Sequence, residues 1–189
     1  KMVAITGLYN RTLGVAAAER RGIVVSFTEL RGTYRKATSE LTWGLILAVA
    51  RHIPHEAGRM REGGWQSTVG ITLAGRTLGL VGLGRQGRHV VPVAKALGMN
   101  IIAWSQNLTS ERAAEVGVTR VYKDELFKQS DVVSVHLMLG KRTLGIVETR
   151  DVTPMQPTAI LSTNTHAHVS HKQALIKTLK AATIYVTAP

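Results

Sequence analysis

Apolar residues in this chain follow two alternating rhythms. Short β-branched or aliphatic runs read as strands: Val3 to Ile5, Ile23 to Phe27, Leu78 to Gly82, Asn100 to Trp104, a brief Val118 to Tyr122, Asp131 to Leu137, Thr158 to Ser162 and Ile184 to Thr187. Between them lie stretches with apolar residues at helical spacing. These are Leu13 to Arg20, a segment opening near Thr38 or Ser39 and carrying Leu41, Leu45, Ala48 and Val49, a more polar one reaching Glu62, and then Gln86 to Leu97, Ser110 to Val116, Asp124 to Gln129 and Lys172 to Lys180. Gly22, Gly98 and Gly117 stand where helices should stop, and Thr38 and Ser39 are good N-caps. Pro54 is expected to end or break the long apolar helix, and Pro92 to kink the helix that contains it. Strands that alternate with helices predict an α/β fold with a doubly wound parallel sheet and a ligand at the carboxyl ends of its strands.

Gly82, Gly84 and Gly87 mark one such strand end. They form G-x-G-x-x-G directly after the apolar Leu78, Leu80 and Val81 and directly before a helix. The first glycine allows the tight turn, the second lets backbone approach a phosphate closely, and the third lets helix pack on strand. The exposed N–H groups and the dipole at the helix start favour the phosphate charge. This is the pattern of a Rossmann-type sheet, and the ligand it predicts is a dinucleotide.

Charge narrows the partners. The formal net charge is +12, with 24 lysines and arginines against 12 acids, which suits nucleic acid, an anionic membrane or an anionic small ligand. The eleven arginines from Arg11 to Arg88, like those further on, are scattered rather than gathered in one block, and aromatics make up only 5% of residues. A base-stacking platform is therefore not expected, and nucleic acid is an unlikely partner. The apolar run Leu41 to Ala50 is too short to span a bilayer, so no membrane is expected. Lys1 and Met2 lead into a strand-like segment without a cleavage-type pattern. The absence of cysteine excludes disulfides, a thiolate nucleophile and a thiolate metal site. A soluble cytoplasmic protein is expected.

Five segments, in order, carry a family resemblance: ATSELTWGLILAVARHIP, GGWQSTVGITLAGRTLGLVGLGRQG, LGMNIIAWSQ, SDVVSVHLMLGKRTLGIV and ILSTNT. In sequence and spacing the chain resembles the D-isomer-specific 2-hydroxyacid dehydrogenases. The resemblance implies that residues 35–189 are a dinucleotide-binding domain, incomplete at its C-terminus, and that residues 1–34 are the C-terminal part of a flavodoxin-like substrate domain. It implies a homodimeric oxidoreductase that moves hydride between the nicotinamide of NAD or NADP and a small 2-hydroxy or 2-keto acid. On the cofactor side it implies Gly82, Gly84 and Gly87 in the glycine fingerprint, with Arg85 and Gln86 on the loop that wraps the pyrophosphate. Thr38 matches a position beside the nicotinamide. His136 and Thr143 fall on the family's H-L-x-L-x-x-x-T pattern at the rim of the cleft, and Thr165 and His166 occupy a stretch also near the nicotinamide.

The chain departs from the family in three places. The ribose-binding acid falls at Ser105, which weakens a strict NAD reading and admits NADP, although no arginine follows immediately to hold a 2′-phosphate. The arginine that clamps the substrate carboxylate falls at Ala167, in a loop that reads NTHAHVSHK. The family's catalytic carboxylate and histidine lie beyond the helix that begins near Lys172, and no equivalents are found before Pro189. No catalytic residue is assigned on this reading, and the competing expectation is a homologue that binds dinucleotide but is catalytically impaired or regulatory. His166, His168 and His171 form H-x-H-x-x-H, whose first two, at alternate positions, could ligate zinc, but no acid or cysteine is close by, and a solvated loop is the expected reading.

Overall fold

Strands Thr77–Val81 (β3), Asn100–Trp104 (β4), Thr119–Arg120 (β5), Val132–Val135 (β6), Ile160–Thr163 (β7) and Tyr185–Thr187 (β8) form one sheet in the order β5-β4-β3-β6-β7-β8. Every pairing in it is parallel. The computed structural model describes residues 1–5, 13–28, 36–163, 169 and 176, together with the backbone of 185–187. The chain divides into two compact units, Lys1–Ala37 and Thr38–Pro189, and the sheet belongs to the second.

Helices Ala37–Ala50 (α2), Ile53–Arg61 (α3), Arg85–Ala96 (α4), Ser110–Ala114 (α5), Lys123–Gln129 (α6) and Thr149–Val152 (α7) accompany the sheet. Side chains alternate across each strand, so the core forms in two layers. Leu78, Leu80, Ile101, Ala103, Val132 and Ile160 meet Trp43, Ile46 and Ala50 of α2 and Val90, Val91 and Ala94 of α4 on one face. Val81, Ile102, Val133, Val135 and Leu161 meet Leu126 and Phe127 of α6 and Val152 of α7 on the other. At Gly79 the second layer closes onto the backbone. A Cβ there would overlap Ser130 Oγ and stand 2.8 Å from Leu126 Cδ2, so α6 lies as near to β3 as it does because that residue has no side chain.

The prolines act as their chemistry allows. The break in the apolar helix falls at His52, with φ +52°, and Pro54 sits in the first turn of α3, where its missing N–H has no helical partner to lose. Pro92 lies on the exposed face of α4, and that helix runs through it without interruption from Arg85 to Ala96. The short helix α7 carries no periodic signal. It is set instead by polar contacts: the Glu148 N–H donates to Asp151 Oδ2 at 2.7 Å, and Lys123 Nζ reaches Asp151 Oδ2 and the Ile146 carbonyl, each at 2.5 Å. Of the three tryptophans expected in a core or interface, Trp43 is buried, Trp104 is half-buried against the second layer and Trp65 is exposed. The expected helix over 172–180 lies mostly outside the described residues.

The first unit consists of Met2–Ile5 (β1), Val15–Glu19 (α1) and Val24–Phe27 (β2), with β1 and β2 paired in parallel. Its helix ends at Gly22, with φ +64°, and the Ile23 N–H bonds back to the Ala18 carbonyl at 3.0 Å. Both strands are apolar, yet none of the unit's described residues is buried.

A polar clasp holds the segment after α3. Glu56 Oε1 accepts from the Thr68 N–H at 2.8 Å and the Thr68 hydroxyl at 2.6 Å, and Oε2 accepts from the Ser67 N–H at 3.0 Å. His52 and His55 bond the hydroxyls of Thr68 and Ser67 at 2.9 and 3.1 Å. The Thr68 hydroxyl and the Ser67 N–H hold the Glu56 carboxyl down at about 2.

Two outcomes follow. Gly79→Ala should lower stability by about 1–3 kcal/mol through overpacking, read as a lower urea midpoint at unchanged slope. For Glu56, whose folded pKa lies below the ordinary 4.5, the clasp contributes fully above that value and is lost as pH falls toward about 2. The melting-temperature gap between wild type and Glu56→Gln should shrink over that window. A gap that stays constant from pH 6 to pH 2 would show that the carboxylate does not hold the segment.

Candidate functional site

The chain leaves β3 and β6 toward opposite faces of the sheet. After β3 it enters α4, whose Val90, Val91 and Ala94 pack in the first layer; after β6 it runs through Leu137, Leu139 and Ile146, which pack against the second. Because β3 and β6 are hydrogen-bonded neighbours, a crevice opens between the two exits at their carboxyl ends. In an open α/β sheet this switch in strand order is where a ligand binds.

The glycine turn stands at that crevice. Gly82 has φ +105°, its N–H donates to the Trp104 carbonyl at 2.8 Å, and a Cβ on it would come within 2.9 Å of the His136 carbonyl oxygen. A Cβ on Gly87 would overlap the carbonyl oxygen of Gly82. Gly84 differs from both, since a Cβ there would meet nothing within 4 Å. Two of the glycines are therefore required by the fold, while the third keeps an open space clear.

Gly84 is also the N-cap of α4, and no side chain caps that helix. The first turn contains no acid, and Arg85, its first residue, is exposed with no hydrogen bond or ion pair among the described residues. Uncapped N–H groups at a helix start, with a free guanidinium and a clear approach, suit the diphosphate of a dinucleotide. Gln86, in the same turn, has its side-chain oxygen buried without a partner.

The other expected residues surround this turn unevenly. Ser105 follows β4 directly, beside Gly82, and its carbonyl accepts from the Leu108 N–H at 3.1 Å to close a turn. Thr38 lies in the first turn of α2, its carbonyl taking the Thr42 hydroxyl at 2.8 Å. His136 follows β6, and its N–H donates to the Val81 carbonyl at 2.8 Å. Burial pushes the His136 imidazole down to about 4, so the ring is neutral at physiological pH. Thr143 staples its own loop, with its hydroxyl 2.5 Å from the Met138 carbonyl. Thr165, His166 and Ala167, and the histidines read as a possible metal set, lie outside the described residues. Among the described residues there is no cluster of metal-binding groups, and no helix is long and apolar enough to cross a membrane.

Three features were not singled out in the sequence. Gln106 Nε2 donates to the Arg142 carbonyl at 3.1 Å, tying the turn after β4 to the loop after β6 across the end of β3. Ser134 and Ser162 are buried and stand opposite one another in register on the paired strands β6 and β7. The only signal for them is a serine interrupting an otherwise apolar strand, in VVSVH and ILST. Nothing in the sequence announces Gln106.

A parallel sheet in this order, with a glycine turn and an uncapped helix at its switch point, defines a dinucleotide-binding domain. Comparison with known proteins narrows the class. The family model for the NAD-binding domain of D-isomer specific 2-hydroxyacid dehydrogenases matches residues 43–188. A glyoxylate reductase of Thermococcus litoralis is 34% identical over 189 residues, covering 95% of this chain and 56% of the relative. A D-3-phosphoglycerate dehydrogenase of Synechocystis is 32% identical over 186 residues, covering 97% of this chain and 33% of the relative. The crystal structure of a phosphoglycerate oxidoreductase from Vibrio cholerae superposes with a TM-score of 0.92 at 31% identity, over the whole of this chain and 61% of that one. The chain belongs to the D-isomer specific 2-hydroxyacid dehydrogenase family, and residues 43–188 match its NAD-binding domain. It spans between a third and three-fifths of the length of these relatives.

The three glycines should separate in a stability measurement. Gly87→Ala forces a methyl onto the Gly82 carbonyl and should cost about 2–3 kcal/mol. Gly84→Ala meets open space and should cost less than about 1 kcal/mol. Equal losses in chemical denaturation would contradict the division between glycines that build the turn and the one that clears it.

Proposed function

We propose that this chain is the cofactor-holding part of a nicotinamide-dependent oxidoreductase acting on a small 2-hydroxy or 2-keto acid. The observation that carries the reading is the open start of α4: backbone N–H groups without a cap, a clear space over Gly84 and the free Arg85 guanidinium. In this reading the backbone of Gly82 to Gly87, with the Arg85 and Gln86 side chains, holds the pyrophosphate. Ser105 faces the ribose of the adenosine half, His136 and Thr143 stand at the rim, and Thr38, Thr165 and His166 stand at the nicotinamide side. The bound cofactor supplies or accepts the hydride; the protein orients it and excludes water. The unit over residues 1–34 is read as part of the substrate domain, because its apolar strands lie exposed, as they would if a further layer normally covered them. Exposed Leu41, Ile53, Met60, Trp65 and Val69 on α2, α3 and the segment that follows support a homodimer. Cytoplasmic placement belongs to the same reading.

Two positions set its limits. Ser105 offers one hydroxyl where a carboxylate would take both ribose hydroxyls, so NAD and NADP are both admitted. With Ala167 at the arginine position, the carboxylate clamp is lacking and turnover is expected to be weak or lost while binding survives.

Titration with NADH and NADPH, followed by tryptophan fluorescence, tests the cradle. Both should bind, and Gly84→Ala should weaken binding about tenfold without a matching loss of thermal stability, because the added Cβ meets no protein atom within 4 Å and stands where the ligand would approach. Ser105→Asp should shift preference toward NADH. Following reduced-cofactor absorbance with glyoxylate, pyruvate and hydroxypyruvate tests catalysis, where intact binding without turnover is the expected result. Failure of both dinucleotides to bind would overturn the proposal.

A further inference from the structure

Ser134 is buried at 1% exposure in the middle of a strand whose other residues are apolar. A hydroxyl in such a place costs stability unless its proton finds an acceptor. Its one hydrogen bond is to His136 Nε2, at 2.9 Å, two residues on and on the same face of β6. The neighbouring hydroxyl of Ser162, paired in register with it on β7, has no hydrogen-bond partner, so it is not the acceptor. The Ser134 proton therefore goes to Nε2, which must be the bare nitrogen of a neutral ring. A neutral imidazole carries its one proton on the other nitrogen. That nitrogen, Nδ1, is shut off from solvent and unpartnered. The ring hangs from the residue whose carbonyl lies against Gly82, at the rim of the crevice between β3 and β6.

We propose that Ser134 is a positioning residue that locks His136 in the Nδ1–H tautomer, so that the crevice carries a fixed, uncharged donor for an acceptor oxygen of the bound dinucleotide. The donor's role rests on the dinucleotide reading above; the tautomer lock does not. A buried, unpartnered N–H beside a ligand crevice is a group whose hydrogen bond is completed only when binding uncovers it, and its energy then appears in affinity. A charged ring would favour the phosphates without regard to orientation. A neutral ring held by a hydroxyl donates in one direction only, which suits selecting a pose more than gathering charge.

Nitrogen NMR of protein labelled at histidine tests both halves. The His136 ring signals are assigned by their disappearance in His136→Gln. In the ligand-free protein Nδ1 should resonate as the protonated, pyrrole-type nitrogen and Nε2 as the bare one. Ser134→Ala should abolish that preference, a change a merely space-filling serine would not produce. Addition of NADH should move the Nδ1 proton signal. NADH affinity should fall about five- to tenfold in Ser134→Ala. It should be largely kept in His136→Asn, whose amide nitrogen falls near the place of Nδ1, and lost in His136→Gln, whose amide falls near Nε2. A proton found on Nε2, or a tautomer unchanged by Ser134→Ala, overturns the proposal. If wild type shows the Nδ1–H tautomer but binds neither NADH nor NADPH, the dinucleotide reading fails and the donor's role with it, while the tautomer lock is supported.

Discussion

The carbonyl of Gly82 is the contact on which the rest of the second unit depends. It presses on the α-carbon of Gly87 so closely that no side chain fits there, while the Gly82 α-carbon presses on the carbonyl of His136. Three backbone segments, the turn after β3, the first turn of α4 and the end of β6, are thereby stacked without side chains between them. Close packing of this kind fixes the direction in which α4 leaves the sheet. It also leaves the helix start facing the crevice uncapped, since Gly84 has nothing to cap it with. The usual capping energy of a serine or aspartate, on the order of 1 kcal/mol, is forgone at that end. A ligand's phosphate oxygens can stand where the cap would be.

Much of this was legible in the chain because the two periodicities are physically different. A buried parallel strand such as Leu78 to Val81 is apolar on both faces, while α4 is apolar on one stripe, so strand and helix could be told apart and their alternation gave the sheet. The glycine turn was legible for a stronger reason, since each glycine answers a steric demand that no other residue meets. What escaped notice was set by partners distant in sequence. The helix α7 forms because Asp151 is gripped by Lys123, twenty-eight positions away. At Pro54 the local rule, which bars proline from a helix interior, predicts an end or a break; the break falls two residues earlier, at His52, and Pro54 opens α3. Ser134 and Ser162 were hidden because a serine in a strand is ordinary until its burial is known. Thr165, His166 and Ala167 fall outside the described residues.

The two units differ in how far they satisfy themselves. The second buries a layer of apolar side chains on each face of its sheet, whereas the first presents Met2, Val24 and Phe27 to solvent on two paired strands. A two-stranded sheet is marginal by itself in water. The chain also spans only part of the length of the relatives it matches. The two units thus rest on very different physical footings within one polypeptide.

The single hydrogen bond from Gln106 to the Arg142 carbonyl has a wider consequence than its modest strength suggests. It joins the segment after β4 to the segment after β6, so these two edges of the crevice form one energetic patch. Exchanges made at Ser105 or Gln106 will not sum independently with exchanges at Arg142 or Thr143. Anyone redesigning the preference of this cleft has to vary both segments together, as a single cassette.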